Sequence, residues 1–189
     1  MTRALLAALL VAAACGRRDV PTTDTARTGA AGVTSSATPP ASPGGWPVTE
    51  TGWGPIRAGM SVAQARAALG GELPEPVNRE CTHVRPPRGP QGVLLMIVGG
   101  QVARVEVTDT TVATETGARV GDTEARINAL YPGRVRTDPH KYVDGHYLII
   151  RRGTGADSIY RLVFETDGQR VTRYRSGRFP EVEWVEGCS

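Results

Sequence analysis

Three histidines, three cysteines and a few well-spaced carboxylates carry whatever side-chain chemistry this 189-residue chain could do. Asp138-Pro139-His140 and Asp144-Gly145-His146 place two carboxylates and two imidazoles within nine residues, and metal sites use such groups. Both carboxylates also have a turn reading. Asp138-Pro139 opens a turn, and Asp144-Gly145 is a two-residue hairpin signal between Tyr142-Val143 and His146-Tyr147. A turn at 144–145 sets His146 opposite Val143 and His140 opposite Ile149. The two imidazoles then stand about 10 Å apart along the ladder, too far to share one ion. No metal site and no cofactor are expected. His83 lies two residues from Cys81, so the two share a strand face. Nucleophilic catalysis needs a base beside the nucleophile and a group orienting the base. The sequence has no nucleophile elbow, no phosphate loop and no HExxH. No catalytic residue is expected.

The arginines divide between two readings. Arg57 and Arg119 stand just before a turn glycine and read as caps or ion pairs. Arg170, Arg173, Arg175 and Arg178 face Glu181, Glu183 and Glu186 in sequence, and read as cross-sheet pairs that blunt an edge. Lys and Arg total 22 against 19 Asp and Glu, for a net charge of +3. From Trp46 onward there are 18 basic and 17 acidic side chains. A nucleic-acid partner needs a concentrated basic face, and this near-neutral balance argues against one.

The N-terminus explains one cysteine. Arg3 precedes an unbroken run of Ala, Leu and Val from Ala4 to Ala14. Eleven residues span about 16 Å as a helix, too short to cross a bilayer, but the length suits a signal-peptide core. Val11-Ala12-Ala13-Ala14-Cys15-Gly16 resembles the lipobox of bacterial lipoproteins. The resemblance implies cleavage after Ala14, lipid on Cys15, and attachment to the membrane through acyl chains alone. Gly16 after the cysteine then implies the periplasmic side of an outer membrane in a diderm cell. In a monoderm cell it implies the outer face of the cytoplasmic membrane. A plain secretory peptide cut at the same place is the other reading. With Cys15 so assigned, Cys81 and Cys188 remain. An exported protein meets an oxidising compartment, where the two can pair or stay as free thiols. A bridge would close about 107 residues and contribute on the order of 4–5 kcal/mol in the loop-entropy model.

The expected organisation has four parts: signal peptide 1–14, lipidated Cys15 with a disordered tether over 15–45, and two halves, 46–114 and 115–189. Residues 16–45 are rich in Thr, Ala, Gly, Ser and Pro and hold almost no large apolar side chain, so they cannot offset their ordering entropy. The halves are suggested by similar segments 62 residues apart, Ile56 to Arg66 and Ala118 to Asn128. In each a glycine turns the chain (Gly59, Gly121) and a hydroxyl caps a helix (Ser61, Thr123). Ser61 with Gln64 has capping-box spacing, and Asp122 and Glu124 suit the helix dipole. The helices are expected at 62–69 and 124–131, stopped by Gly70-Gly71 and Pro132-Gly133. Apolar runs with hairpin signals at Gly99-Gly100 and Asp167-Gly168 follow them. The expected fold class is α+β, with two tandem repeats, each a short helix packed on an antiparallel sheet.

The segments GMSVAQARAALG and GDTEARINALYP resemble helix openings of the β-lactamase-inhibitor-protein-like fold, which includes small outer-membrane lipoproteins of the small protein A type. The resemblance implies fold rather than task, and no binding residue of that family can be placed on this chain. The expected function is therefore a lipid-anchored cell-envelope protein with a non-catalytic binding or scaffolding role. Its partners would be the membrane and another envelope protein. A small-molecule-binding or inhibitor-type module is the alternative. Among Trp46, Trp53 and Trp184, any exposed ring would mark a binding face.

Overall fold

Ser61 and Thr123 each start a helix. The Ser61 hydroxyl accepts from the Gln64 backbone N–H while the Gln64 side chain accepts from the Ser61 N–H, a complete capping box. Thr123 accepts in the same way from the Arg126 N–H. The helices α1 (Val62–Ala68) and α2 (Glu124–Leu130) are seven residues each. That is too short to be stable alone, so packing must hold them. Each contributes one fully buried side chain, Ala65 and Ile127. The computed structural model describes residues 45–78 and 80–188. The expected signal peptide, the expected lipid site Cys15 and the expected tether up to residue 44 lie outside the described residues.

The rest of the fold is mostly β. Strands β1 (Val48–Thr49), β2 (Gly52–Trp53) and β3 (Ile56–Arg57) form a small three-stranded sheet. The large sheet takes β4 (Cys81–Val84), β5 (Val93–Val98) and β6 (Gln101–Val107) from the first half. From the second half it takes β7 (Val135–Pro139), β8 (His146–Arg151), β9 (Tyr160–Thr166) and β10 (Val171–Arg178). The order is β4-β5-β6-β10-β9-β8-β7, antiparallel throughout.

This corrects the expected fold class. The chain does not fold as tandem repeats of a helix on a sheet; two short helices accompany one continuous seven-stranded sheet. The reason lies at the seam. The final strands β6 and β10 pair in register Tyr174↔Val107 to Gly177↔Arg104. Left apart, each would present a row of unpaired N–H and C=O groups; joined, they remove two open edges at once.

One hairpin also departs from expectation. Gly99 and Gly100 both have positive φ and connect β5 to β6 with Val98 opposite Gln101, the expected two-residue turn. Asp144-Gly145 is not such a turn. Pro139 pairs with His146, so the connection spans residues 140–145 and His146 does not face Val143. Gly145 serves a close approach instead. A Cβ there would stand 2.1 Å from the Thr166 carbonyl oxygen, so the glycine lets two chains touch.

One face of the large sheet carries the main core. Leu95, Ile97, Val105, Val107, Leu148, Ile150, Leu162, Phe164 and Tyr174 pack with Val48, Trp53 and Ile56 of the small sheet and with Ala65 and Ile127. Trp53 is fully buried and meets Trp46 edge-on at 5.0 Å between centroids. Tyr174 donates its hydroxyl to the Val112 carbonyl, and Tyr131 donates to Thr114 Oγ1, so both phenols are satisfied inside the core.

The seam itself offers a test. A Cβ on Gly177 would stand 2.4 Å from the Ala103 carbonyl oxygen and 2.7 Å from the Arg104 Cα, both backbone atoms of β6. Gly177→Ala is expected to destabilise the protein by about 1–3 kcal/mol, as overpacking does. Urea unfolding measures this, and an unchanged midpoint would refute the tight β6–β10 seam.

Candidate functional site

Strand alternation sends every second side chain to the opposite face of the sheet. There stand Cys81 and His83 from β4, Met96 from β5, Arg104 and Glu106 from β6, and Arg173, Arg175 and Gly177 from β10. Arg161, Val163 and Glu165 come from β9, and Tyr147 and Ile149 from β8. This face is rich in charge, yet much of it is buried. After β10 the chain turns at Phe179-Pro180, makes a 3-10 turn over Glu181–Glu183, and runs back across the face to Cys188. Cys188 is disulfide-bonded to Cys81 on the outer strand β4, with 5.3 Å between their Cα atoms. The C-terminal segment is thus a strap pinned at its end.

Two buried arginines hold the strap from below. Arg104 Nη1 donates to the carbonyls of Glu181 and Trp184 at 2.7 and 2.6 Å. Arg175 Nε donates to the Val182 carbonyl at 2.6 Å. Their side chains are 2% and 4% exposed, so the charges have left water and need partners in place. Glu106 meets Arg104 at 2.5 Å and His83 at 3.1 Å. Glu165, itself buried, pairs with Arg175 and Arg173. Glu183 on the strap pairs with Arg161 and Arg136. Val182 fills the apolar gap between Tyr147, Ile149 and Val163.

The electrostatics follow from this packing. Burial raises the pKa of Glu106, but the hydrogen bond with His83 and the charge of Arg104 outweigh it and hold the carboxyl down at about 2. Burial is the largest influence on Arg104 and lowers its pKa, with Glu106 pulling the other way. Glu106 is therefore a fixed anion at neutral pH.

Each histidine has its own glutamate. His83 faces Glu106, His146 Nδ1 meets Glu124 Oε1 at 2.8 Å, and His140 Nε2 stands 3.9 Å from Glu165 Oε2. His140 also stacks on Tyr147 at 4.5 Å and accepts the Tyr142 N–H at Nδ1. The fold does not bring the three imidazoles together. The sulfur of Cys81, next to His83 in sequence terms, is used in the disulfide.

The end-strand arginines were expected to pair with Glu181, Glu183 and Glu186. Of these pairs only Arg178–Glu181 forms, at 3.1 Å. Arg173 and Arg175 turn to Glu165, and Arg170 donates to the Gly121 carbonyl. Arg173 and Arg175 find their carboxylate on the adjacent strand β9, while the strap offers Arg175 a backbone carbonyl instead. Arg57 and Arg119 hold backbone carbonyls, those of Gly54 and Ile56 for Arg57 and that of Thr111 for Arg119. The sequence reading missed the buried Glu165, and it missed the buried Arg104 with its half-buried partner Glu106. Their signal was the alternation Val-Ala-Arg-Val-Glu-Val at 102–107, which sets two charges on a face opposite valines.

The strap leaves one open groove of note, about 400 Å³, lined by Trp184, Val185, Glu186, Lys141 and the disulfide. Trp184 is 38% exposed, and Tyr142 and Val143 of the neighbouring loop are more exposed still. Lys141 and Tyr142 both bind Glu186, which joins loop to strap.

No protein-family model matches the chain, and no curated protein matches it. Among solved structures, the uncharacterized protein yfeY from Escherichia coli matches with 16% identity and a TM-score of 0.37. That match covers 70% of this chain and 99% of the other.

Two measurements probe the strap. An unfolded glutamate titrates near 4.3, above the folded Glu106. Ionised Glu106 therefore stabilises the fold above that value, and the contribution is lost as pH falls from about 4.3 toward about 2. Unfolding free energy measured by urea at stepped pH should drop across that window, and Glu106→Gln should flatten the drop; superimposable profiles would contradict the pairing. Cys188→Ser should cost about 3–5 kcal/mol, because it frees a 107-residue loop in the unfolded chain. Hydrogen exchange should then speed up first over residues 181–188, and uniform exchange would show that the strap is not pinned by its end.

Proposed function

We propose that this protein is a non-catalytic binding module of the cell envelope, held there by lipid on Cys15 and contacting another envelope protein through the strap. One observation carries the reading: an indole, Trp184, stands partly exposed at the rim of a groove on a strap fastened by a disulfide and two buried arginines. Aromatic side chains on a rigid support are the usual energetic centres of protein interfaces, because they bury much area at little entropic cost. The neighbouring charges support this. Lys141 and Glu186 already satisfy each other, which leaves the aromatic and apolar surface to make contact.

The anchor reading rests on the sequence. Arg3, the apolar run and Cys15 form a lipoprotein-type leader, and the Pro- and Gly-rich tether would carry the domain clear of the membrane. Among the described residues no helix is long and apolar enough to cross a membrane. An acyl anchor would supply the attachment.

A photo-crosslinking residue at Tyr142 of the full chain, activated in intact cells, tests the proposal. One discrete adduct with an envelope protein is expected. Trp184→Ala should weaken it at least about tenfold, as loss of an interface centre does. Cys15→Ala should release the protein from the membrane fraction. A diffuse adduct pattern, or an adduct indifferent to Trp184, would sink the binding reading; retention of Cys15→Ala in the membrane fraction would sink the anchor.

A further inference from the structure

The structure also assigns a second site: we infer that a groove beside the free β7 edge binds a phosphate oxyanion. The groove measures about 510 Å³ and is lined by Arg134, Arg136, Ile149, Arg151, Gly153 and Thr154. Strand geometry converges the three arginines. Arg134 and Arg136 flank Val135 on β7, Val135 pairs with Ile150 on β8, and Arg151 comes next. Arg134 Nη2 donates to the Arg151 carbonyl at 2.8 Å, which sets the two residues side by side.

The charge balance of this corner is uneven. Arg134 pairs with Glu50 at 2.7 Å, and Arg136 pairs with Asp138 at 3.0 Å and Glu183 at 3.3 Å. Arg104, Arg161, Arg173 and Arg175 on the same face each have a carboxylate as well. The Arg151 guanidinium has no partner among the described residues. Its cross-strand neighbour on β9 is Arg161, another cation. Like charges set opposite each other on adjacent strands repel. Glu183, which pairs with Arg161, is shared with Arg136. An anion in the groove would satisfy Arg151 and offset that repulsion.

The donor set favours phosphate. Each guanidinium offers a rigid fork of N–H groups, and a phosphate presents three acceptor oxygens and up to two negative charges to several forks at once. A carboxylate has two oxygens and a single charge, less than a phosphate offers to three guanidiniums. Thr154 adds a hydroxyl at the same groove, and that hydroxyl makes no capping bond to the 3-10 turn that follows it. Gly153, with φ of +51°, lets the chain turn between Arg151 and Thr154. The phosphate could belong to a lipid headgroup or be free in solution; the chemistry of recognition is the same.

The test uses the full chain carrying Cys15→Ala, so that no acyl chain contributes. Inorganic phosphate is titrated by calorimetry at fixed ionic strength, and co-sedimentation is measured with phosphatidylglycerol vesicles against phosphatidylcholine vesicles. Saturable phosphate binding identifies free phosphate. Binding to phosphatidylglycerol vesicles alone identifies a headgroup. In either arm Arg151→Gln should weaken binding about tenfold or more, the scale of one charge-assisted contact. Arg151→Lys, which keeps the charge and loses the fork, should fall between. Arg88→Gln removes the same charge from an exposed site elsewhere and should leave binding unchanged. An unaltered melting temperature certifies that the Arg151 variants are folded. No binding in either arm, or equal loss in the Arg88 and Arg151 variants, would overturn the assignment.

Discussion

The donation of two buried guanidiniums to strap carbonyls organises one whole side of this molecule. Arg104 and Arg175 sit on adjacent central strands, β6 and β10, and both reach up to the chain that crosses above them. A buried cation is tolerated only when its donors are met and its charge is balanced. The strap supplies carbonyls, and Glu106 and Glu165 supply the balancing charge. Without the strap, both arginines and both carboxylates would face water on an open sheet. With it, the second face becomes a polar interior, closed at one end by Cys81–Cys188.

The same arrangement explains why the sheet is continuous. Arg104 and Arg175 can share one strap only because β6 and β10 are neighbours. Gly177 makes room at that junction, opposite Arg104, where any side chain would meet the β6 backbone. The apolar core below and the ionic layer above thus depend on the same strand pairing. Breaking the seam would expose valines on one side and unpaired charges on the other.

Two kinds of surface remain outside this closed interior. At the strap, charges neutralise one another and aromatic rings stay exposed. At the β7 corner, Arg151 has no carboxylate partner among the described residues and the groove is open. The first suits a protein surface and the second an oxyanion. They lie on different elements, linked where Arg136 of the second pairs with Glu183 of the strap.

Local structure was legible in the sequence because it is decided locally. Ser61 and Gln64 make a capping box wherever they stand three apart before an apolar run, and Gly99-Gly100 turns a hairpin because both residues accept positive φ. The pairing of Cys81 with Cys188 was one of two readings left open, and the fold selected it by bringing their Cα atoms to 5.3 Å. The halves looked like two helix-on-sheet units because sequence similarity carries no information about which strand edges meet. The pairing of β6 with β10 is a contact between residues some 70 apart, and only the closed chain decides it. The Asp144-Gly145 reading failed for a related reason: a glycine that permits a turn also permits close approach, and Thr166 on β9 claimed it for the latter. Burial of Arg104, Arg175 and Glu165 is the furthest from sequence. An arginine is coded the same whether it meets water or a carbonyl, and here the carbonyls come from a segment that folds back after the last strand. By itself the sequence determined the helix caps, the Gly99-Gly100 turn, the strand alternation and the cysteine inventory; the tertiary structure alone decided that the charged face would be an interior, because desolvation depends on what covers a side chain.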